Sequence, residues 1–234
     1  MAGQGFHFGG SSLILAATGR EVTESLVAGN LGVDAWNKET ISGRRASHFC
    51  GGAGCICPTR QQLRQPKIQS WDSELEKSYA VDPMIDMELF EASNKHLPED
   101  DYKNGIRLHL LSDMIYDHFV QDDIFDFSEQ KNDIITVRST GIRMSSATFR
   151  KEIYSLYPML DQYMLNLAGV TAQDIEEIKE LLRSIYREDH ADFVIKYLKF
   201  DSKNVWRDSC IFKKKEVNKF IDTMVSESRK YLNW

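Results

Sequence analysis

With 234 residues, 42% of them hydrophobic and 27% charged, the chain is long enough for a substantial core and has the composition of an ordinary globular protein. Its formal net charge of −6 argues against a nucleic-acid duplex as partner, because such binding needs a clustered excess of lysine and arginine. No run approaches the roughly 18 consecutive apolar residues of a transmembrane helix, and no basic residues precede the first apolar run as in a secretory signal. We therefore expect a cytoplasmic protein without integral membrane association, whose cysteines are thiols or metal ligands.

The first seventy residues are rich in glycine and small side chains. They predict two short helices, over residues 11–17 and 21–28, followed by a mostly irregular stretch over residues 29–66 that several glycines and Pro58 interrupt. Long loops in compact domains are commonly functional. We expect functional residues in this part of the chain.

The pattern is helical beyond Trp71. The stretch "NGIRLHLLSDMIYDHFV" is apolar on most faces and predicts a buried helix, whereas "NDIITVRSTGIRMSS" predicts one short β-hairpin. Further helices are predicted over residues 149–169 with a break at Pro158 and a Gly169 cap, over residues 174–186 after a Thr171 cap, and over residues 193–200 and 217–225. The predicted fold is mainly α, with residues 1–234 in a single all-helical domain.

The predicted buried helix carries a histidine and an aspartate four residues apart, His109 and Asp113. Side chains at this spacing leave the same face one turn apart, so both can reach one divalent metal. A buried aspartate must be paired or bound to a metal, since its burial is otherwise costly. A core histidine hydrogen-bonded to its own i+4 aspartate is the open alternative.

Three upstream motifs supply further metal donors: His7 in "GFHFGG", Asp34 in "AGNLGVDAW" and His48 in "RRASHF". Together with the helical pair they give three imidazoles and two carboxylates, donors that zinc favours and that manganese or iron also accepts. Each motif is weak alone, but their order along the chain is informative.

This ordered set resembles the zinc-dependent phospholipase C group, which shares its all-helical fold with the S1/P1-type nucleases. The resemblance covers a few dozen positions in roughly the first half of the chain. It implies that His7, Asp34, His48, His109 and Asp113 are metal ligands and that the two carboxylates take part in catalysis. The implied activity is hydrolysis of a small-molecule or lipid phosphate ester by metal-activated water.

Two departures from that family limit the number of metal ions. Secreted members use the free amine of the mature N-terminus as a ligand, and here that position is Met1. The histidines that follow the predicted helix, His118 and His190, do not stand in the HxxxE pattern that three-zinc members need. We therefore expect one or two ions.

Several other residues have both a functional and a structural interpretation. Arg44 and Arg45 can bind a substrate phosphate or stay solvated. Asp86 and His96 can supply a spare ligand or base, or serve only the fold. The Trp36 side chain can line a pocket or pack within the hydrophobic core.

Three of the four cysteines, Cys50, Cys55 and Cys57, follow His48 within ten residues. With that histidine they could form a Cys₃His site, although the C-x₄-C-x-C spacing differs from the paired units of structural zinc sites. We expect passive cysteines. Two alternatives stay open: a non-catalytic helical protein with a Cys/His metal or redox-sensing loop, and a helical interaction protein whose buried polar residues are only hydrogen-bonded.

Overall fold

The computed structural model describes residues 3–36, 47–50, 52, 54–65, 84–201, 206–209 and 211–234. Within these ranges the α-helices are α1 (Gln4–Thr18), α2 (Glu24–Ala35), α3 (Met87–Ser93), α4 (Asp101–His118), α5 (Ser146–Leu167), α6 (Ala172–Ile185), α7 (Glu188–Tyr197) and α8 (Lys214–Leu232). A π-helical segment, Phe119–Ile124, continues α4, and short 3₁₀ turns span Arg60–Gln62 and Gln130–Asn132. The prediction of a mainly α fold is confirmed.

A small antiparallel sheet has the order β1 (Phe125–Asp126), β2 (Ile135–Val137) and β3 (Arg143–Met144). The predicted hairpin corresponds to β2 and β3, which pair with Ile135 opposite Met144. β1 was not predicted, because two residues are too few to show the alternation that identifies a strand.

Helices α1 and α2 differ from the prediction. α1 begins at Gln4, before the predicted start at residue 11, and α2 continues to Ala35. The prediction of irregular chain from residue 29 is therefore wrong for residues 29–35. Gly29 has a packing role, because a Cβ at this position would collide with the carbonyl oxygen of Tyr102. Gly105 on α4 has the same role, since a Cβ there would collide with the carbonyl oxygen of Leu26.

α5 is continuous through Pro158, so the predicted break there is wrong. Proline removes the hydrogen bond to the carbonyl of residue i−4, here Tyr154. Tyr154 is exposed, so water can hydrogen-bond its carbonyl instead. The helix ends as predicted, with Gly169 in the left-handed region at φ 70°, and a Thr171–Asp174 capping box opens α6.

The buried apolar residues form two clusters. One, with Leu31 and Ile106, lies where α2 and α4 meet α6 and α7, and the other, with Phe6 and Phe220, lies where α1 and the end of α4 meet α5, α8 and the sheet. α4 contributes to both clusters. Along the chain segments that the structure describes, no helix has the length and apolar content needed to cross a bilayer. The single domain and the cytoplasmic location stay predictions.

An ion-pair network joins α3 and α4 on one face of this core. The ammonium group of Lys103, which is only 2% exposed, lies 2.6 Å from Glu99 and 3.2 Å from Glu91. The Arg107 guanidinium contacts both glutamates. Hydrogen bonds from Arg107 and Lys103 lower the pKa of the Glu99 carboxyl to about 2.

Acid should remove the contribution of this network. Because the folded pKa of Glu99 lies below the ordinary 4.5, its stabilisation is complete above the unfolded pKa and is lost as pH falls toward about 2. The Glu99→Gln variant should be less stable than wild type at neutral pH, by about 1 kcal/mol or less since this carboxylate is largely exposed. The difference should shrink as pH falls from about 5 to about 3. Urea unfolding at about pH 5 and about pH 3 measures the stability difference between the variant and wild type. Glu180→Gln is the control, because Glu180 belongs to a single exposed ion pair. A stability difference that does not change with pH would contradict the prediction.

Candidate metal centre

Contacts with α5 fix the start of α1, which carries His7. The Asp161 carboxylate of α5 accepts hydrogen bonds of 3.0 Å from the backbone N–H groups of Gly3 and Phe6. A carboxylate at a helix N-terminus satisfies N–H groups that have no partner within the helix. Further along α1, Gly9 lies directly against the backbone of Met164. His7 is thereby held inside the protein, fully buried.

The close approach of α2 and α4 places the two carboxylates. The contact at Gly29 and Gly105 brings the backbones of α2 and α4 together. Asp34, near the end of α2, therefore lies close to α4. His109 and Asp113 lie one turn apart in the middle of α4 and are buried. The helical pair predicted from sequence is confirmed.

His48 lies outside the helices and is fixed by its neighbour Phe49. Phe49 has φ 57°, an unusual conformation for a residue other than glycine. It is held there by burial, by an edge contact with the Phe90 ring at 5.2 Å, and by a 2.9 Å hydrogen bond from the Asp86 N–H to its carbonyl. Such a conformation persists only when its surroundings determine it.

The five predicted ligands meet at one place. His48 Nε2 lies 3.4 Å from Asp34 Oδ1, 3.3 Å from Asp113 Oδ2 and 3.2 Å from His109 Nε2. His7 Nε2 lies 3.4 Å from Asp113 Oδ1, and the His7 and His109 rings stack at 3.7 Å. All five residues are at most 1% exposed. The structure therefore brings together every ligand that the sequence predicted.

Ser112 contacts the Nδ1 nitrogen of His7. Its hydroxyl oxygen lies 2.8 Å from the carbonyl oxygen of His109 and 3.0 Å from His7 Nδ1. When the single hydroxyl hydrogen is donated to the carbonyl, the hydroxyl oxygen accepts a hydrogen bond from His7 Nδ1. Burial lowers the pKa of His7, which keeps the ring neutral. In that tautomer His7 Nε2 carries a lone pair; this nitrogen has no hydrogen-bond partner and lies 3.4 Å from an Asp113 carboxylate oxygen. A metal ion or a proton between the two atoms would offset the repulsion of their lone pairs.

Several buried atoms of the centre lack the hydrogen bonds that such atoms usually make. Besides His7 Nε2, these are Asp34 Oδ1 and His109 Nδ1. The separation of 3.9 Å between His109 Nε2 and Asp113 Oδ2 is also too long for a hydrogen bond. The alternative of a core histidine bonded to its own i+4 aspartate is therefore wrong for this pair.

The electrostatics favour neutral imidazoles and ionised carboxylates. Burial, together with the neighbouring His7, holds the pKa of His109 well below its ordinary value. Burial alone would raise the pKa of Asp34, but its interaction with His48 and the other imidazoles lowers it below the ordinary value. Neutral imidazoles and carboxylates are the forms in which these side chains bind metals.

Two overlapping sets of donors can each hold a metal ion. One is His7, Asp34 and His109, the other His48, His109 and Asp113, with the donor atoms of each set within 4.8 Å of one another. The nitrogen and oxygen donors fit zinc, manganese or iron.

Other residues considered from the sequence lie elsewhere. Asp86 caps α3 by accepting from the Leu89 N–H, and His96 contacts the Cys57 carbonyl. His118 forms an exposed pair with Asp122. The remaining positions are His190, buried in α7, Trp36, buried in the α2–α4 cluster, and Arg44 and Arg45, which lie outside the described residues.

The described cysteines do not form a second centre. In the described parts of the chain, the groups of side chains that can hold a metal include no cysteine. Cys50, Cys55 and Cys57 are buried free thiols, and burial together with the neighbouring Cys55 raises the pKa of Cys57. Asn94 fixes this loop by accepting from the Cys57 N–H and donating to the Cys55 carbonyl. The Cys₃His alternative has no support here, because His48 Nε2 faces the histidines and aspartates.

We expect the triple variant Cys50→Ser, Cys55→Ser and Cys57→Ser to bind metal as wild type does. It should nevertheless lose about 1–3 kcal/mol of stability for each poorly paired hydroxyl that it buries. Elemental analysis and urea unfolding of the same preparation measure both effects. Loss of metal from this variant while it remains folded would contradict the assignment.

No protein-family model, curated protein or solved structure matches this chain. The centre is thus characterised by its own geometry. Sequence reasoning missed two supporting residues, Ser112 and Gln4. Ser112 lies three residues after His109, and Gln4 lies three residues before His7, so the helical spacing that identified the ligands applies to both.

Proposed function

We propose that the protein is a metal-dependent hydrolase of phosphate esters, acting on a phosphodiester or phospholipid-like substrate. The observation that carries the proposal is the buried cluster of three histidines and two aspartates, in which His7 Nε2 lies 3.4 Å from an Asp113 carboxylate oxygen. A metal ion shared by these side chains would hold their donor atoms together. One or two ions, of zinc, manganese or iron, would fit this cluster.

The chain's own residues would hold and orient the reacting groups. His7, His48 and His109 bind through ring nitrogens, and Asp113 presents Oδ1 on the His7 side and Oδ2 on the His48 side. A bound divalent ion lowers the pKa of its water toward about 7 and stabilises charge on a phosphoryl oxygen.

We assign proton transfer to Asp34, whose Oδ1 lies 3.4 Å from His48 Nε2 within the cluster. The water oxygen forms a bond to phosphorus as the bond from phosphorus to the alcohol oxygen breaks. Asp34 takes the water proton and passes it to the departing alkoxide, which leaves as the alcohol. General base catalysis of this kind typically contributes about 10²–10⁴-fold.

The proposal is tested by assaying metal-loaded protein, purified without a histidine tag. The substrates are a soluble phosphomonoester, a soluble phosphodiester and phosphatidylcholine vesicles. Asp34→Asn should lower turnover by about 10²-fold or more, while Asp122→Asn, at an exposed carboxylate, should not change it. Absence of hydrolysis with zinc, manganese and iron would overturn the proposal.

Full burial favours a second candidate, a metal ion that only stabilises the fold. The ligands come from α1, α2, α4 and the His48 segment, so an ion would cross-link elements distant in sequence. A metal that binds only the native state raises stability by about 2.7 kcal/mol at 100 times its dissociation constant. Stoichiometric metal that raises the melting temperature, without hydrolysis of any substrate, would support this candidate.

A further inference from the structure

We propose that Gln4 is a positioning residue of the metal centre: its amide nitrogen orients the Asp34 carboxylate, and its amide oxygen accepts a hydrogen bond from water bound there. This inference rests on the proposed metal centre. Gln4 is 3% exposed, lies one turn before His7 on α1, and donates from Nε2 to Asp34 Oδ2 at 2.5 Å.

The chemistry of the partner decides which way the amide faces. An ionised carboxylate only accepts hydrogen bonds, so the NH₂ group of Gln4 must face Asp34. With Oδ2 of Asp34 engaged, Oδ1 is the oxygen directed to His48 Nε2, 3.4 Å away. The hydrogen bond from the Gln4 amide thus determines which Asp34 carboxylate oxygen faces the imidazoles.

The other end of the amide has no protein partner. Oε1 of Gln4 is buried and accepts no hydrogen bond. A buried carbonyl oxygen without a donor costs about 1–3 kcal/mol. Water held by a metal ion is a strong hydrogen-bond donor, and it would supply the bond that Oε1 lacks.

The position of Gln4 is itself fixed from outside the centre. Asp161 holds the N–H groups of Gly3 and Phe6, on either side of Gln4. A Cβ on Gly3 or Gly5 would collide with the Asp161 side chain, so both neighbours must be small. The chain thereby holds the start of α1 against α5 with Gln4 pointing away from solvent.

A second buried glutamine provides a matched control. Gln162 is 1% exposed, donates to Asn166 Oδ1 at 2.9 Å and accepts from the Asp201 N–H, and neither partner belongs to the centre. Gln4→Met and Gln162→Met remove the same amide from equally buried positions and keep the length of the side chain.

The experiment measures the affinity for Mn²⁺ by electron paramagnetic resonance and the visible absorption of protein loaded with Co²⁺. Gln4→Met should lower Mn²⁺ affinity by about 10- to 100-fold, as loss of an outer-shell partner does, and should shift the Co²⁺ bands because Asp34 is no longer oriented. Gln162→Met should leave both unchanged. Circular dichroism verifies that each variant is folded, and if Gln4→Met is not, Gln4→Leu takes its place, since it is also apolar and of similar size and has neither donor nor acceptor.

Wild-type affinity and Co²⁺ bands in the folded Gln4 variant, or equal changes in the Gln162 variant, would overturn the positioning role. If His109→Ala abolishes metal binding in the same series, the metal centre stands and only the role of Gln4 fails. If wild-type protein binds neither Mn²⁺ nor Co²⁺, both the metal centre and the positioning role of Gln4 are excluded.

Discussion

Replacing His109 with alanine is expected to remove bound metal from the protein. His109 belongs to both donor sets, stacks on the His7 ring and lies 3.2 Å from His48 Nε2. Its loss leaves at most two protein ligands in either set, fewer than the three protein ligands of catalytic zinc sites. We expect the metal content to fall from one or two equivalents to less than about a tenth of that value after dialysis.

Elemental analysis of protein purified without added metal or a histidine tag measures this effect. His118→Ala is the matched control, since His118 lies on the same helix but pairs with Asp122 at the surface. Its metal content should equal that of wild type. Equal metal content in both variants, or none in wild type even after reconstitution, would exclude a metal centre at these residues.

Replacing Gly29 with alanine is expected to destabilise the fold and to weaken metal binding together. An alanine Cβ would collide with the carbonyl oxygen of Tyr102, which is backbone of α4 and cannot rotate away. Alanine ordinarily stabilises a helix by about 1 kcal/mol relative to glycine. Overpacking usually costs about 1–3 kcal/mol, and here the colliding atom belongs to the backbone. We therefore expect a net loss of about 2 kcal/mol or more.

Gly10→Ala is the control for this substitution. Gly10 also lies in a buried helix, but its added Cβ would meet only the ends of the flexible Met164 and Met224 side chains. Urea unfolding should show Gly10→Ala close to wild type and Gly29→Ala clearly less stable. Metal titration should show weaker binding in Gly29→Ala, because displacement of α2 moves Asp34 away from α4. Stability equal to wild type in Gly29→Ala would show that this contact does not set the helix spacing.

The helices could be predicted from the sequence wherever the hydrophobic periodicity extends over several turns. The buried pattern around His109 and the amphipathic pattern after Thr171 each predicted a helix that the structure contains. The prediction of irregular chain failed at residues 29–35, where Gly29 and Gly32 stand inside a helix and each makes room for another element. Whether a glycine breaks a helix or allows a close contact depends on residues distant in the chain.

The sequence by itself determined the donor chemistry of the centre: which imidazoles and carboxylates are available, and that His109 and Asp113 share one helix face. That much follows from residue type and the 3.6-residue period, which are local properties. Only the tertiary structure decided that His7, Asp34 and His48 reach the same point, that Ser112 contacts His7 Nδ1, and that Gln4 hydrogen-bonds Asp34. These facts depend on how helices distant in sequence pack, because the position of a side chain relative to another helix is set by long-range contacts.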